Sequence, residues 1–188
     1  MSKKKEEFNF IFHGKFDVSE ISRHLSTYEK EWKVDTSRQD LHGVHKHTES
    51  AFIYEYPSSW KIAEPYSLQK KSTDMYMLDM IEPIIKQLEL IHQGKVGKVL
   101  FIKLPPSKEI DMHADFGDYL ESVRRHHIAI ITNPDVSFIV NNEKKHLKVG
   151  DCWEVNNNLI HYVENSGNTD RIHLLIDILP NRVIGKPE

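Results

Sequence analysis

The sequence predicts an all-β core with flanking helices, folded as a double-sheet jelly roll. Three observations predict it. After Lys98 the chain breaks into short runs of strand formers separated by turn residues. Two helical patterns precede those runs. The 188 residues are enough for one well-buried core and too few for two ordinary domains. A single domain over 1–188 is expected, with helical support over about 17–94 and a strand-rich core over about 98–180.

Phe8, Phe10 and Phe12 alternate as in an edge strand and read as packing residues, with His13 near the surface. Asp17 to Glu20 has capping-box character. Ile21, Leu25, Tyr28 and Trp32 then recur at helical spacing, which predicts an amphipathic helix lying on a sheet. Ala51 to Tyr56 is aromatic and β-branched and stops at Pro57, as a strand would. The second helix has a cap in Ser72-Thr73-Asp74, a stripe of Leu78, Ile81, Ile84, Ile85, Leu88 and Ile91, and an end at Gly94. Pro83 inside the pattern is expected to kink or split it. Strands are then predicted over Val99 to Leu104, Ile110 to Asp115, His127 to Thr132, Val136 to Val140, Cys152 to Val155, Ile160 to Glu164 and Ile172 to Leu179. Asn141-Asn142, Val149-Gly150-Asp151 and Ser166-Gly167-Asn168 supply turns.

Within these strands lies a pattern that points to chemistry. His113 and Asp115 stand two apart, the spacing that sends both side chains to one side of an extended strand. His161 is expected to arrive from another strand. Arg171 follows ten residues later, after a turn, and is read as lying on a strand that runs back beside the first, near the metal. Two imidazoles and one carboxylate can occupy a single face of an octahedral iron and leave the other face open. A planar guanidinium beside them suits a carboxylate cosubstrate. In a chain with 12 histidines a His-x-Asp tripeptide alone says little; the downstream His and Arg make the pattern specific.

Several blocks then resemble one family in order: Thr36-Ser37-Arg38-Gln39 with His45 to Ile53, His113-Ala114-Asp115, Arg125-His126-His127-Ile128-Ala129-Ile130, Gly150 to Val155, His161 to Asn165, and Arg171 to Asp177. Together these resemble the aspartyl/asparaginyl beta-hydroxylase-like group of iron(II)- and 2-oxoglutarate-dependent oxygenases, to which some free-proline hydroxylases are also similar. The resemblance implies a double-stranded β-helix of the jelly-roll, cupin-like kind. It implies Fe(II) on His113, Asp115 and His161, with 2-oxoglutarate as cosubstrate and O2 as oxidant. Arg171 would hold the distal carboxylate of 2-oxoglutarate, and Arg125 and His127 would line the same pocket and assist. His127 also reads as a plain core histidine, and Arg125 as the partner of a surface carboxylate.

The reaction implied is oxidative decarboxylation to succinate and carbon dioxide, coupled to hydroxylation of an unactivated C–H bond in an amino acid or amino-acid residue. Asp115 favours hydroxylation over halogenation, since a halide needs the position a carboxylate fills. Two departures stand out. Some family members lack the acidic ligand that is present here as Asp115, and Asn156-Asn157-Asn158 replaces an acidic pair before the distal histidine. The substrate is expected to be a free amino acid such as proline, or else a peptide or protein side chain. It would meet loops 57–66 and 116–124, where Trp60, Tyr66, Tyr119 and Arg124 are candidate contacts.

Composition narrows the partners. A net charge of −3 gives no reason to expect nucleic acid or membrane, and Lys3-Lys4-Lys5 is expected to be a solvated end. The single cysteine, Cys152, excludes an internal disulfide and reads as a buried thiol. No apolar stretch is long enough to cross a bilayer, so a cytoplasmic protein is expected. Oligomeric state stays open. Two rival readings remain: a cupin-like metal protein or isomerase that does not use 2-oxoglutarate, for which His126, His127, His146 and His173 leave room, and a non-catalytic binding module.

Overall fold

A computed structural model describes residues 8–41 and 43–185; the Lys3–Lys5 run lies outside them. Two antiparallel sheets face each other. The larger has seven strands: β1 (Phe10–Lys15), β2 (Glu49–Glu55), β3 (Gln69–Lys70), β4 (Gly94–Leu104), β6 (Arg124–Ile131), β9 (Asp151–Val155) and β11 (Arg171–Pro180). Their order is β1-β9-β6-β11-β4-β2-β3. The smaller holds β5 (Lys108–His113), β7 (Val136–Val140), β8 (Glu143–Lys145) and β10 (His161–Asn165), in the order β5-β10-β7-β8. The predicted all-β core with flanking helices is therefore present. From β4 to β7, and again from β8 to β11, successive strands alternate between the two sheets, as in a jelly roll.

The outer face of the larger sheet is covered by α1 (Ser19–Leu25) and α3 (Met75–His92), with the short α2 (Ser37–Leu41) between them in the chain. The central strand β11 shows how one sequence serves two layers. Ile172, Leu174, Ile176 and Ile178 join Ile21, Leu25, Ile81 and Leu88 in the helix-side core, while Leu175 packs with Leu100 and Ile102 on the opposite side. All ten residues of the strand are buried, so its polar members Arg171, His173 and Asp177 point into the space between the sheets. Leu104, Ile110, Phe138, Val140 and Val163 fill part of that space.

Several expectations need correction. The first helix ends at Leu25. Ser26 and Thr27 donate their hydroxyls to the carbonyls of Arg23 and His24 at 2.8 Å, which takes up acceptors that continued helix would use. Tyr28 and Trp32 are buried all the same, from a turn and a short 3-10 segment (Glu31–Lys33). The capping box is absent: Asp17 accepts from the Ser19 backbone N–H at 3.0 Å, and α1 has no side-chain cap. Pro83 neither kinks α3 into two helices nor ends it. It sits exposed between buried Ile81 and Ile84, on the side where water can satisfy the freed carbonyl. The helix stops at His92, two positions before Gly94, with Gln93 in the left-handed region at φ 47°. The β7–β8 turn is as predicted, with Asn141 and Asn142 both at positive φ.

Candidate metal and cosubstrate site

His113 ends β5 and His161 begins β10, and the two are register partners across adjacent strands. Their rings lie 4.2 Å apart between centroids. Each ring directs Nδ1 to a carbonyl two residues earlier, Asp111 at 2.7 Å and Leu159 at 2.9 Å. Nδ1 thus donates and Nε2 is left as the lone-pair nitrogen, the tautomer a metal requires.

Asp115 does not lie on the strand. β5 stops at His113, and the chain turns toward α4 (Asp118–Ser122) through Gly117 at φ 101°. A different anchor places Asp115: its backbone N–H donates to the Asn157 carbonyl at 2.9 Å. The Asn157 amide donates to Asp115 Oδ2 at 3.1 Å, and Asn158 donates to the Asp115 carbonyl at 3.1 Å. The asparagine run that departs from the family pattern is thus the bracket for this carboxylate. Asp115 Oδ1 lies 3.9 Å from His113 Nε2. Donor atoms of His113, Asp115 and His161 all fall within 4.8 Å of one another, a set that can hold one cation.

The strand that carries Arg171 does not form a hairpin with the strand that carries His161. β10 belongs to the small sheet and β11 to the large one, where β11 pairs with β4 and β6. Arg171 therefore reaches the site from the opposite wall. The turn after Asn165 carries the chain from one sheet to the other, a crossover that a two-residue spacing rule cannot show.

All six predicted residues, His113, Asp115, Arg125, His127, His161 and Arg171, line one cavity of about 440 Å³. Arg171 is 1% exposed. Its Nη2 donates to His173 Nδ1 at 2.7 Å, while its Nε and Nη1 are buried without a hydrogen-bond partner. Burial pushes its pKa down to about 9, and the positive charge of Arg38 adds to that. A cation so placed lacks a carboxylate.

Arg125 differs. It donates from Nε and Nη2 to Asp177, each at 2.8 Å, and from Nη1 to Asp115 at 2.6 Å. Burial opposes its charge, yet Asp177 and Asp115 raise its pKa. Asp115 is desolvated, which works to raise its pKa, but Arg125, His161 and Asn157 together hold it below the ordinary carboxylate value. Burial pushes His161 down to about 4 despite Asp115 beside it. His127 is held well below its ordinary value by burial and by Arg171, and its Nδ1 has no partner.

Other expected contacts lie elsewhere. Tyr119 donates to Asp177 at 3.0 Å, Trp60 to the Glu64 carbonyl, Tyr66 to the Val96 carbonyl, and Arg124 to Glu154. None of the four lines the cavity. Phe116 and Leu120, from the same loop region, do line it, as do Arg38, Glu55, Ser58 and Lys98. The block containing Arg38 was visible in the sequence, but its distance from the His-x-Asp pair hid its role. His126 faces away from the cavity, and neither His146 nor His173 joins the triad.

Comparisons with known proteins agree with this architecture. An oxidoreductase of the 2OG-Fe(II) oxygenase family from Burkholderia pseudomallei superposes with a TM-score of 0.64 at 9% identity, over 95% of this chain and 88% of that one. A viral collagen prolyl hydroxylase from Paramecium Bursaria Chlorella virus-1, in its 2OG complex, gives 0.57 at 10% identity, over 92% and 97%. A Pseudomonas putida prolyl-4-hydroxylase gives 0.54 at 12%, over 93% and 94%. At such identities the likeness establishes the shared fold. No curated protein sequence matches. Residues 18–180 match the aspartyl/asparaginyl beta-hydroxylase family, nearly the whole described chain. The protein accordingly belongs to the aspartyl/asparaginyl beta-hydroxylase family and is a hydroxylase of the oxygenase class.

Proposed function

We propose that His113, Asp115 and His161 hold Fe(II) and that Arg171 receives the distal carboxylate of 2-oxoglutarate. The observation that carries this is one cavity bounded by a three-donor set at the end of the smaller sheet and, on the larger sheet, a buried guanidinium with two unpartnered nitrogens. The donors fit the ion: two imidazole nitrogens and one carboxylate leave coordination positions for a bidentate acid and oxygen. When bound, iron and 2-oxoglutarate supply the oxidative decarboxylation that activates O2 for insertion into a C–H bond.

The chain's own groups then position and exclude. Arg171 Nε and Nη1 donate to the incoming carboxylate, with His173 fixing the guanidinium through Nη2. His127, held neutral, faces the same wall and adds a polar atom at Nδ1 without adding charge. Arg125 keeps Asp115 deprotonated and turned by its grip on Oδ2, leaving Oδ1 toward the cation. Leu100, Ile102, Ile110, Val163 and Leu175 exclude water from the lining.

The substrate we assign is a free amino acid, proline in first place, with a peptide or protein residue second. A cavity of about 440 Å³ that also receives 2-oxoglutarate leaves room for a small molecule. Arg38, Lys98 and Glu55 give that space both signs of charge, which a zwitterion needs. Two structural neighbours are prolyl hydroxylases by name, one of them of collagen, which supports proline as the chemistry and keeps the peptide residue as the second reading. Anaerobic titration with Fe(II) and then 2-oxoglutarate should develop a metal-to-ligand charge-transfer band, and succinate release should rise with the right amino acid. A chain that binds iron without the band, and forms no succinate with any amino acid or peptide, has instead the cupin-like metal chemistry that does not use 2-oxoglutarate.

A further inference from the structure

On the other side of the large sheet, His13 of β1, His92 in the last turn of α3, His126 of β6 and Glu154 of β9 converge. All four donor atoms lie within 4.8 Å of one another. His13 Nε2 stands 3.1 Å from Glu154 Oε2, His92 Nε2 stands 2.9 Å from His126 Nε2, and His92 Nε2 is 3.9 Å from Glu154 Oε2. His13 was expected near the surface, but its side chain is only 12% exposed and points into this cluster. We propose that these four residues form a second metal site that takes a zinc-class divalent cation, separate from the cavity described above.

The geometry suits a tetrahedral ion. Bonds of about 2.0–2.2 Å to imidazole nitrogen and carboxylate oxygen place neighbouring donors about 3.3 Å apart. The observed separations of 2.9, 3.1 and 3.9 Å bracket that value. Outer groups orient the ligands as metal sites require. The ring of His126 directs Nδ1 to the Ile176 carbonyl at 3.2 Å, which turns its Nε2 lone pair to the cluster. Glu154 Oε1 accepts from Arg124 Nη1 at 3.0 Å, leaving Oε2 for the ion. Two facing Nε2 atoms at 2.9 Å must share one proton or one cation; the cation also uses Glu154 and His13.

The donor set selects the metal. Three imidazoles with one carboxylate suit zinc, copper or nickel better than calcium or magnesium, which take oxygen ligands. Four protein ligands close a tetrahedron and leave no position for substrate, so the site is structural. It ties the edge strand β1 and the end of α3 to β6 and β9. His126 and Glu154 are register partners, so two ligands are already fixed by the sheet.

The test starts from full-length protein carrying H113A and D115A, which removes the triad. Stripped of metal, this variant should bind one Zn2+ per chain by equilibrium dialysis and elemental analysis, with a raised thermal midpoint. Co2+ in its place should give the intense visible bands of four-coordinate tetrahedral cobalt. His13→Ala and His92→Gln, each added to that background, should lower affinity by more than the roughly 10–100-fold that loss of an outer partner costs, and should abolish the cobalt spectrum. No binding by the triad variant, a weak octahedral cobalt spectrum, or Zn2+ affinity unchanged by both histidine variants overturns the site.

Discussion

Arg125 grips Asp177 through two parallel hydrogen bonds of 2.8 Å and reaches Asp115 with its third nitrogen at 2.6 Å. The guanidinium thus couples the central strand β11 to the triad carboxylate. Asp177 is fully buried and also accepts from Tyr119. Asp177→Asn should therefore destabilise the fold by about 3–5 kcal/mol, the cost of leaving one charge of a buried pair unmatched. Denaturant unfolding of the variant measures it; a loss below about 1 kcal/mol refutes the clamp.

Arg171→Ala should raise the KM for 2-oxoglutarate by about 100-fold or more, since a buried charge-assisted bidentate contact is worth roughly 3 kcal/mol. Iron affinity should be nearly unchanged. Arg171→Lys should recover only part of the loss, because an ammonium cannot present two parallel N–H groups. Equal 2-oxoglutarate affinity in wild type and Arg171→Ala by calorimetric titration would remove the assignment.

His113→Ala and Asp115→Ala should each abolish succinate formation. Asn157→Ala should be milder, lowering iron affinity about 10–100-fold by releasing the Asp115 carboxylate that it orients. Competition with a coloured chelator reports that affinity, and normal turnover in His113→Ala would exclude it as a ligand.

Stability should fall in mild acid. His127 and His173 are buried and held well below their ordinary value of 6.5. The unfolded chain therefore binds protons that the fold refuses. The contribution is fully present above pH 6.5 and is lost progressively as pH falls below it. Guanidinium midpoints of the metal-free protein between pH 8 and pH 5 check the sign, and a flat profile contradicts it.

Cys152 is fully buried, and burial, with Glu154 adding to it, pushes its thiol up to about 12. It should resist alkylation in the native protein at pH 8 and react on unfolding. Native labelling as fast as that of an unfolded control would show the barrier there to be open.

The strands were legible because their signal is local. Val136 to Val140 matches β7 to the residue and most other expected strands end within about three positions of the observed ones, since β-branched runs and turn residues alternate visibly. The polar β3 and β8 carry no such signal, and β4 starts at Gly94, five residues before Val99. The triad and Arg171 were legible as residues but not as geometry. Asp115 owes its place to Asn157, 42 positions away, and Arg171 faces His161 from the opposing sheet. The first helix misled because Tyr28 and Trp32 keep helical spacing and burial after the helix has ended at Leu25. His13 was misplaced for a related reason: alternation along β1 shows which side a residue faces, but not that α3 ends opposite it.

His126 and His127 are consecutive on β6, yet one belongs to the cluster beneath α3 and the other to the cavity wall. A slip of β6 by a single position would carry each imidazole through the plane of the sheet into the wrong compartment. Misregistered folding intermediates would therefore lose both polar centres together, so correct threading of this strand is policed from above and below.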